Sequence, residues 1–400
     1  MRAFLVVAIA ALLTSRASGA RPPVPGPQSG SEPPDVSQWF SAVEEHTPGR
    51  DDAAVRAIMA IPPETFSRVL GALRRRADRV EVFNRLVHRA ALLHMDAAIL
   101  VQSGVAVDLP RPPAAARGRS TVILTHDGGY TGMAGIGVHW ELGRTLLDLT
   151  QPRADEDPWV LRWYVASSSF MLNRSLLADL SPHLEKARKL FSSDADILYA
   201  SGCYFESMAS PRVRPVIDSK SLPPGLRIDA PSTRESWRIA EGYFRRAVEA
   251  RLGFGWARIR RARMLDRLGR HDEAIRELHN VTSTAEEPAM LYLAALFEGA
   301  AQEAVGNASA ARERYEAAAR RFPNSQAAYL ALSRLARDRG DRAAARAAAE
   351  RVFRRQTTGE MDDPWWTYDF LFVRTADEQL SDVRKPFEKR TATDSAKVRN

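Results

Sequence analysis

Apolar residues recur with a helical period along most of the chain. Helical patterning begins near Val36, and between Val80 and Val101 apolar residues return every three or four positions. The pattern fails over 103–137, where prolines and glycines replace it, and a helical pattern resumes at Val138. We therefore predict an all-α fold whose N-terminal helical region, 36–152, contains one long Gly/Pro-rich loop.

The second half of the chain repeats a spacing of small residues. Gly306 precedes Ala311 by five residues, and Gly340 precedes Ala345 by the same five. The two glycines are 34 residues apart, and Gly269 starts an earlier copy 37 residues before Gly306. A period of 34 is typical of stacked helical hairpins, so this region is predicted to be a helical-repeat solenoid.

The central repeat, Tyr292 to Ser325, carries the most complete set of these residues. Gly299 leaves room for the partner helix, and Gly306 ends the first helix because glycine allows φ > 0. The second helix presents a small, a large and a small residue on one face before a proline stops it: Ala311, Tyr315, Ala318 and Pro323. This set resembles a tetratricopeptide (TPR) unit.

The resemblance implies a right-handed superhelix of TPR-like hairpins over 153–355. The register predicts five repeats, with an insertion over 209–233 in the second: 161–194, 195–254, 255–291, 292–325 and 326–355. A terminal hairpin needs a cover, so we expect the apolar segment 356–385 to cap the exposed end of the last repeat. The polar tail 386–400 is predicted to be disordered.

The N-terminus has the pattern of a secretory signal peptide. A positive start is followed by the apolar run 3–13, and small residues precede a cleavage point after Ala20. We therefore predict a signal peptide over 1–20, a disordered Pro/Gly/Ser-rich linker over 21–35, and export to the periplasm or the medium. No later run is long and apolar enough for a membrane span, so none is expected in the mature chain.

The chain is basic, with a net charge of +8 and a pI near 9.8, which raises the question of nucleic acid binding. Its arginines are interleaved with acids, as in Arg312-Glu313-Arg314, and this mixture is typical of a solvated helix face. Nucleic acid is therefore disfavoured as a partner. The single cysteine, Cys203, excludes an intramolecular disulfide.

Candidate chemistry is confined to the end of the Gly-rich loop. His126 and Asp127 lie beside its glycines, and His139 and Glu141 follow on the next helix. These four side chains would form a metal or acid–base site if the loop folds back. Isolated polar residues at a loop–helix junction are more often helix caps. We predict no enzymatic activity, no metal and no cofactor, with a site around 126–141 as the alternative.

The resemblance also implies where a partner would bind. In TPR proteins the first helices line a concave groove, and the register places these residues at positions that point into it: Tyr199, Trp256, Arg263, Arg267, Arg334 and Arg337. Aromatic residues and arginine are the types that dominate interface energetics. We predict a non-enzymatic exported scaffold that binds a protein or peptide there. The alternative is that some of these side chains pack on a neighbouring hairpin or on the cap.

Overall fold

The computed structural model describes Val55, Ile58, Trp140 and the ranges 80–102, 142–147, 158–173, 176–218, 230–353 and 363–369. Within these residues the regular structure is helical, and no strand occurs. The predicted signal peptide 1–20, linker 21–35, loop 103–137 and tail 386–400 lie outside the described residues.

The helices are numbered in chain order. They are α1 (Val80–Gln102), α2 (Pro158–Asn173), α3 (Leu177–Leu190), α4 (Ala195–Met208), α5 (Arg214–Ile217), α6 (Thr233–Ala250), α7 (Gly255–Arg267), α8 (His271–Thr284), α9 (Pro288–Ala304), α10 (Ala308–Arg321), α11 (Gln326–Asp338), α12 (Arg342–Phe353) and α13 (Pro364–Asp369).

Successive helices form a row of hairpins. The pairs are α2 with α3, α4 with α6, α7 with α8, α9 with α10, and α11 with α12. Each hairpin packs on the next, because α3 contacts α4, α6 contacts α7, α8 contacts α9 and α10 contacts α11. The short helix α5 lies in the insertion of the second hairpin. The predicted all-α hairpin solenoid is confirmed.

A glycine on the first helix meets an aromatic ring of the second helix in two of these hairpins. A Cβ atom built on Gly299 would lie 2.5 Å from the Tyr315 ring, and one on Gly202 would lie 2.4 Å from the Phe244 ring. Both distances are far below van der Waals contact. The prediction that Gly299 lets the partner helix approach is therefore confirmed, and Gly202 performs the same function in α4.

Three hairpin turns use a glycine with positive φ. The φ angles of Gly269, Gly306 and Gly340 are +83°, +82° and +79°. At Gly306 the next residue, Asn307, donates its backbone N–H to the carbonyl of Gln302 at 2.8 Å, which satisfies an orphan carbonyl at the helix end. The conformation predicted for Gly306 is thus confirmed.

The apolar core consists of two clusters that follow one another along the row of hairpins. The first is built mainly from α1–α6, and the second mainly from α7–α11 together with Tyr368. Trp256, at the start of α7, packs against both clusters. The first helix of the third hairpin therefore stands at the junction of the two.

The structure describes only part of the predicted capping segment 356–385, and this part packs on the first helices of the hairpins. The described part, residues 363–369, is named the docked segment below. Its helix α13 packs on α9, and its side chains reach α4 and α7, so it crosses the first helices of several hairpins. Helix α12, the second helix of the last hairpin, is rich in alanine and arginine. It therefore offers little apolar surface to the aromatic residues of the docked segment.

Candidate functional site

The docked segment identifies the face of the solenoid on which side chains of distant repeats converge. This face, formed by α4, α7 and α9, is termed the groove. It contains Glu206 of α4, Arg260 and Arg263 of α7, and Phe297 of α9. These are first helices of three consecutive hairpins, so the stacking of the hairpins brings the helices that carry these side chains together.

Asp363 fixes one end of the docked segment. The Tyr292 hydroxyl donates to its Oδ1 at 2.7 Å, and the backbone N–H groups of Gln326 and Ala327 donate to its Oδ2 at 2.8 and 2.9 Å. The two N–H groups belong to the first turn of α11, whose own N-cap residue, Ser325, makes no side-chain cap bond. Asp363 is only 3% exposed, so a buried carboxylate caps α11 from a distant part of the chain.

Arg260 is the centre of the polar network and is only 2% exposed. Its Nε donates to the Tyr199 hydroxyl at 2.9 Å, and its Nη1 donates to Glu206 Oε2 at 2.6 Å. The guanidinium also lies over the Tyr368 ring, 4.3 Å from the ring centroid. A buried charge with an acidic partner, hydrogen bonds and an aromatic face is well compensated, so this arginine is held in one orientation.

Tyr368 closes the network from the docked segment. Its hydroxyl donates to Glu206 Oε1, and its carbonyl accepts from Arg260 Nη2 at 3.3 Å. Burial, and then the negative charge of Glu206, raise the pKa of Tyr368. The phenol therefore stays protonated at neutral pH and continues to donate to the carboxylate.

An aromatic cluster lies between the two polar anchors. The Phe297 ring contacts the rings of Trp365 and Tyr368 edge-on, with centroid distances of 5.8 and 4.9 Å. The Arg263 guanidinium lies 4.6 Å from the Phe297 centroid and 5.5 Å from the Trp365 centroid. Such distances allow cation–π attraction, so Arg263 and Phe297 together hold Trp365 in the groove.

Two cavities flank the docked segment. The first cavity, of about 370 Å³, is lined by residues of α2, α4 and α7, by the loop before α7 and by Tyr368: Val165, Ser169, Asp196, Tyr199, Ala200, Phe254, Trp256, Arg260 and Tyr368. Most of this lining is apolar or aromatic. Its volume suits one large side chain of a ligand or a short peptide stretch.

The second cavity, of about 450 Å³, is lined by Trp365 and Tyr368 of the docked segment and by residues from α4 to α7. It is more polar, and three arginines stand in its wall: Arg214, Arg263 and Arg267. The neighbouring Arg263, with burial as the second cause, lowers the pKa of Arg267. Arginines therefore outnumber acids in this lining, although Glu206 also lines the cavity and Arg214 is itself paired with Asp218 at 2.7 Å.

The structure brings four of the six predicted partner-binding residues to this region. Tyr199 and Trp256 line the first cavity, and Arg263 and Arg267 line the second. Tyr199 is buried and holds Arg260, and Arg267 lies over the Trp237 ring at 6.0 Å. Each of these side chains therefore also has a partner within the chain.

The other two predicted residues lie elsewhere. Arg334 of α11 pairs with Glu303 of the neighbouring first helix, and the Tyr315 hydroxyl donates to the same carboxylate at 2.9 Å. Arg337 is exposed, with Asp338 Oδ1 3.6 Å from its Nε. Arg334 thus links two hairpins, and neither arginine lines the two cavities described above.

Sequence reasoning missed Arg260 and Asp363 as site residues. Arg260 is not among the positions that the repeat register assigns to the groove, and one of its partners, Tyr368, lies 108 residues away in the chain. Asp363 was visible as part of an acidic and aromatic run, Asp362-Asp363-Pro364-Trp365-Trp366. The aromatic residues of this run predict that it is buried, but the run does not identify the part of the solenoid on which it packs.

The residues of the alternative site, His126, Asp127, His139 and Glu141, lie outside the described residues. Within the described part of the chain, no group of three or more His, Cys, Asp or Glu side chains could hold a metal ion. Cys203 is buried, and burial raises the pKa of its thiol to about 12. A thiol in that state is a packing residue, since thiolate is the nucleophilic form.

No protein-family model and no curated protein matches this chain. Among solved structures, a MamA chain from Desulfovibrio magneticus that begins at residue 41 of that protein is 16% identical with a TM-score of 0.36, covering 48% of this chain and 92% of the solved one. PilF from Pseudomonas aeruginosa is 16% identical with a TM-score of 0.39, covering 59% and 87%. YrrB, described as a TPR protein with an unusual peptide-binding site, is 16% identical with a TM-score of 0.34, covering 49% of this chain and 86% of YrrB.

The fold assignment depends on the hairpins of this chain itself. Glycine turns recur at Gly269, Gly306 and Gly340, and glycine–aromatic contacts join the helices of the second and fourth hairpins. In the part of the chain that the structure describes, no helix is long and apolar enough to cross a membrane. With these turns, contacts and spacings, the described residues have a tetratricopeptide-like helical-repeat fold.

Proposed function

We propose that this protein is a non-enzymatic exported scaffold that binds a segment of another protein in its groove. The first cavity is the pocket that receives the anchoring side chain of that segment. The observation that carries the proposal is the convergence of Tyr199, Phe254 and Trp256 with the buried Arg260 around about 370 Å³ of open space. Buried aromatic and arginine side chains around a pocket are characteristic of interface hot spots.

The walls of this cavity are held in place before a partner arrives. Tyr199 packs on Phe244 and Phe254 with centroid distances of 5.9 and 5.0 Å, and its hydroxyl accepts from Arg260. At the rim, Asp196 is fixed by two hydrogen bonds from Arg251. Binding to such a pocket needs little ordering of side chains, which supports a site formed in the free protein.

Affinity capture with single-site variants tests the proposal. Purified full chain is used to capture interacting proteins, and each candidate is then purified and titrated against the variants. Trp256→Ala removes one wall of the first cavity, and Ser169→Phe fills the cavity while leaving the other walls in place. Both changes should weaken partner binding at least about tenfold, because Trp256→Ala removes a central contact and Ser169→Phe occupies the space of the anchoring side chain.

A matched control is Leu252→Ala, which truncates a side chain that is 75% exposed and lies outside both cavities. It should leave the affinity unchanged. Circular dichroism of each variant checks that its helical content is retained. A partner that binds wild type, Trp256→Ala and Ser169→Phe with equal affinity would show that the first cavity is not the site.

Export is part of the same proposal and has its own test. It is supported by the apolar run 3–13 and the small residues that end at Ala20. In the native host, mass spectrometry of the protein from envelope and medium fractions should find Arg21 as the first residue. Recovery of intact protein that begins at Met1, confined to the cytoplasmic fraction, would contradict export.

A further inference from the structure

The docked segment reveals the chemistry that the groove accepts. We propose that the partner carries an aspartate followed by aromatic residues two and five positions later, and that it displaces the docked segment from the groove. This inference rests on the proposed function and names the kind of segment that binds. In the chain itself the three anchors are Asp363, Trp365 and Tyr368.

Each anchor meets a site suited to one chemical group. The Asp363 carboxylate receives one hydroxyl and two backbone N–H groups at the start of α11, where the helix dipole also favours an anion. Trp365 lies against an arginine and a phenylalanine of the groove. Tyr368 meets Arg260 with its ring and Glu206 with its hydroxyl. A segment without this order of groups would leave buried polar groups unpaired.

The surrounding charge also favours an acidic segment. Arg263 and Arg267 stand beside the docked segment in the wall of the second cavity. In this chain, two further acidic residues, Glu360 and Asp362, come just before Asp363. A partner segment with acidic residues around its aspartate would be attracted to the same side of the groove.

The docked segment is suited to exchange rather than to permanent packing. Helix α13 has six residues, and a helix this short is not stable without the surface that holds it. A cavity of about 370 Å³ borders Tyr368 and one of about 450 Å³ borders Trp365 and Tyr368, so the docked segment occupies only part of the groove. A longer partner segment could make the same three contacts and fill these cavities as well.

The docked segment is covalently attached to the groove that it occupies, and this attachment determines how strongly it competes with a partner segment. Only residues 354–362 join α12 to the docked segment, and a short linker gives a local concentration on the order of millimolar. If the free segment binds with a Kd on the order of 10–100 μM, the groove is open for about 1–10% of the time. The apparent affinity of a competing segment is then reduced about 10- to 100-fold.

The test measures binding of a labelled synthetic peptide, residues 361–371 of this chain, to the full protein by fluorescence anisotropy. In the released variant, Asp363→Ala with Trp365→Ala, the segment is changed and the groove is intact. It should bind the peptide at least about tenfold more tightly than wild type. A peptide that carries the same two alanines should not bind, and Tyr292→Phe added to the released variant should weaken binding about fivefold or more.

The inference is overturned if the peptide does not bind the released variant, or if it binds wild type equally well. It is also overturned if Tyr292→Phe has no effect, since the peptide would then bind elsewhere. Should the released variant fail to fold, Tyr368→Phe takes its place. That change removes only the hydroxyl that donates to Glu206, and it should increase peptide affinity about threefold or more.

The two proposals can fail separately. If a captured partner depends on Trp256 but the peptide does not compete with it, the scaffold function stands and the predicted partner chemistry is wrong. If the peptide binds the released variant but no Trp256-dependent partner exists, the groove serves only the chain's own segment. Support for both requires that the released variant bind the captured partner more tightly than wild type does.

Discussion

The fourth and fifth hairpins share one repeat register but are packed very differently. At equivalent positions, 34 residues apart, the fourth hairpin has Gly299 and Tyr315 where the fifth has Ser333 and Ala349. In the fourth, the tyrosine ring fills the space above the glycine and is only 1% exposed. In the fifth, the Ser333 hydroxyl donates to the carbonyl of Ala345 at 2.8 Å, and residues 342–352 are half-buried or exposed.

This difference shows what the repeat pattern controls and what it leaves to context. The turn glycines Gly306 and Gly340 have nearly the same φ, so the shape of the hairpin follows from the pattern. The stability of the hairpin depends instead on how well the side chains of its two helices fill the space between them, and on its packing against neighbouring hairpins. The fourth hairpin packs between two others, so we expect it to contribute far more to the folding of the solenoid.

The largest expected effect is that of Tyr315→Ala. The change removes a buried ring and leaves a cavity above Gly299, which should lower the free energy of unfolding by about 3–5 kcal/mol. The equivalent change in the fifth hairpin, Ala349→Gly, should cost only about 1 kcal/mol through helix propensity. Urea denaturation followed by circular dichroism measures both. Equal losses would show that the two hairpins are packed alike.

The conservative variant Tyr315→Phe separates the ring from its hydroxyl. It keeps the contact with Gly299 and removes the hydrogen bond to Glu303, which Arg334 also contacts. We expect a loss of about 1 kcal/mol. A loss as large as that of Tyr315→Ala would mean that the hydrogen bond, and not the ring, joins the two helices.

The next effect concerns the glycine of the same pair. In Gly299→Ala the new methyl group would lie 2.5 Å from the Tyr315 ring, and overpacking of this kind costs about 1–3 kcal/mol. Gly242 in α6 is a matched control because nothing lies within 4 Å of a Cβ built there. Gly242→Ala should stabilise the protein by about 0.5–1 kcal/mol. Opposite signs in thermal melts are the expected result, and stabilisation by both changes would contradict it.

A smaller effect tests how the fifth hairpin is attached. Asp363→Ala removes the carboxylate that caps α11 and should cost about 1–2 kcal/mol. Hydrogen exchange should show the loss at the amides of Gln326 and Ala327. The control Asp341→Ala removes a local cap, whose carboxylate accepts from Ala344 N–H at 2.9 Å, and should affect only the start of α12. Unchanged exchange at Gln326 in Asp363→Ala would exclude the distant cap.

The features of the fold that depend on local sequence were predictable. The positive φ of Gly306 follows from the conformational freedom of glycine at a helix end, and the space above Gly299 follows from spacing along two helices. The position of the docked segment was not predictable in this way. Its apolar content indicated burial, but the end of the last hairpin and the groove are both surfaces that could bury it.

The site was predictable only in part, and the reason is physical. Repeat register placed Tyr199, Trp256 and Arg263 on the face that also holds the docked segment, because the start of a helix fixes which of its positions share a face. Arg260 gained its role from Glu206 and Tyr368, which lie on other helices and whose contacts no local pattern specifies. A buried charge that is compensated by residues far apart in sequence can be recognised only from the three-dimensional arrangement of the hairpins.

The smallest expected effect concerns a buried acid of the fourth hairpin that the fifth lacks. Glu298 is only 3% exposed, and the equivalent residue of the fifth hairpin is Leu332. Burial raises the pKa of Glu298 above its usual 4.5, and the charge of Arg314, 3.1 Å away, opposes that shift. Among the described residues, no group forms a hydrogen bond with its Oε2. The folded state therefore favours the protonated form of Glu298 more than the unfolded chain does.

The sign of the pH dependence follows from the raised pKa. The stabilisation from protonated Glu298 is complete below pH 4.5 and is lost as the pH rises through the higher pKa of the folded state. Glu298→Gln keeps the shape and cannot ionise, so its stability relative to wild type should increase between pH 4.5 and pH 7. The matched control is Glu316→Gln, which removes the carboxylate from an exposed pair with Arg312 and should change the free energy of unfolding by less than about 1 kcal/mol. Urea denaturation across this pH range decides the matter, since parallel curves for Glu298→Gln and wild type would show that the carboxyl of Glu298 titrates normally in the folded chain.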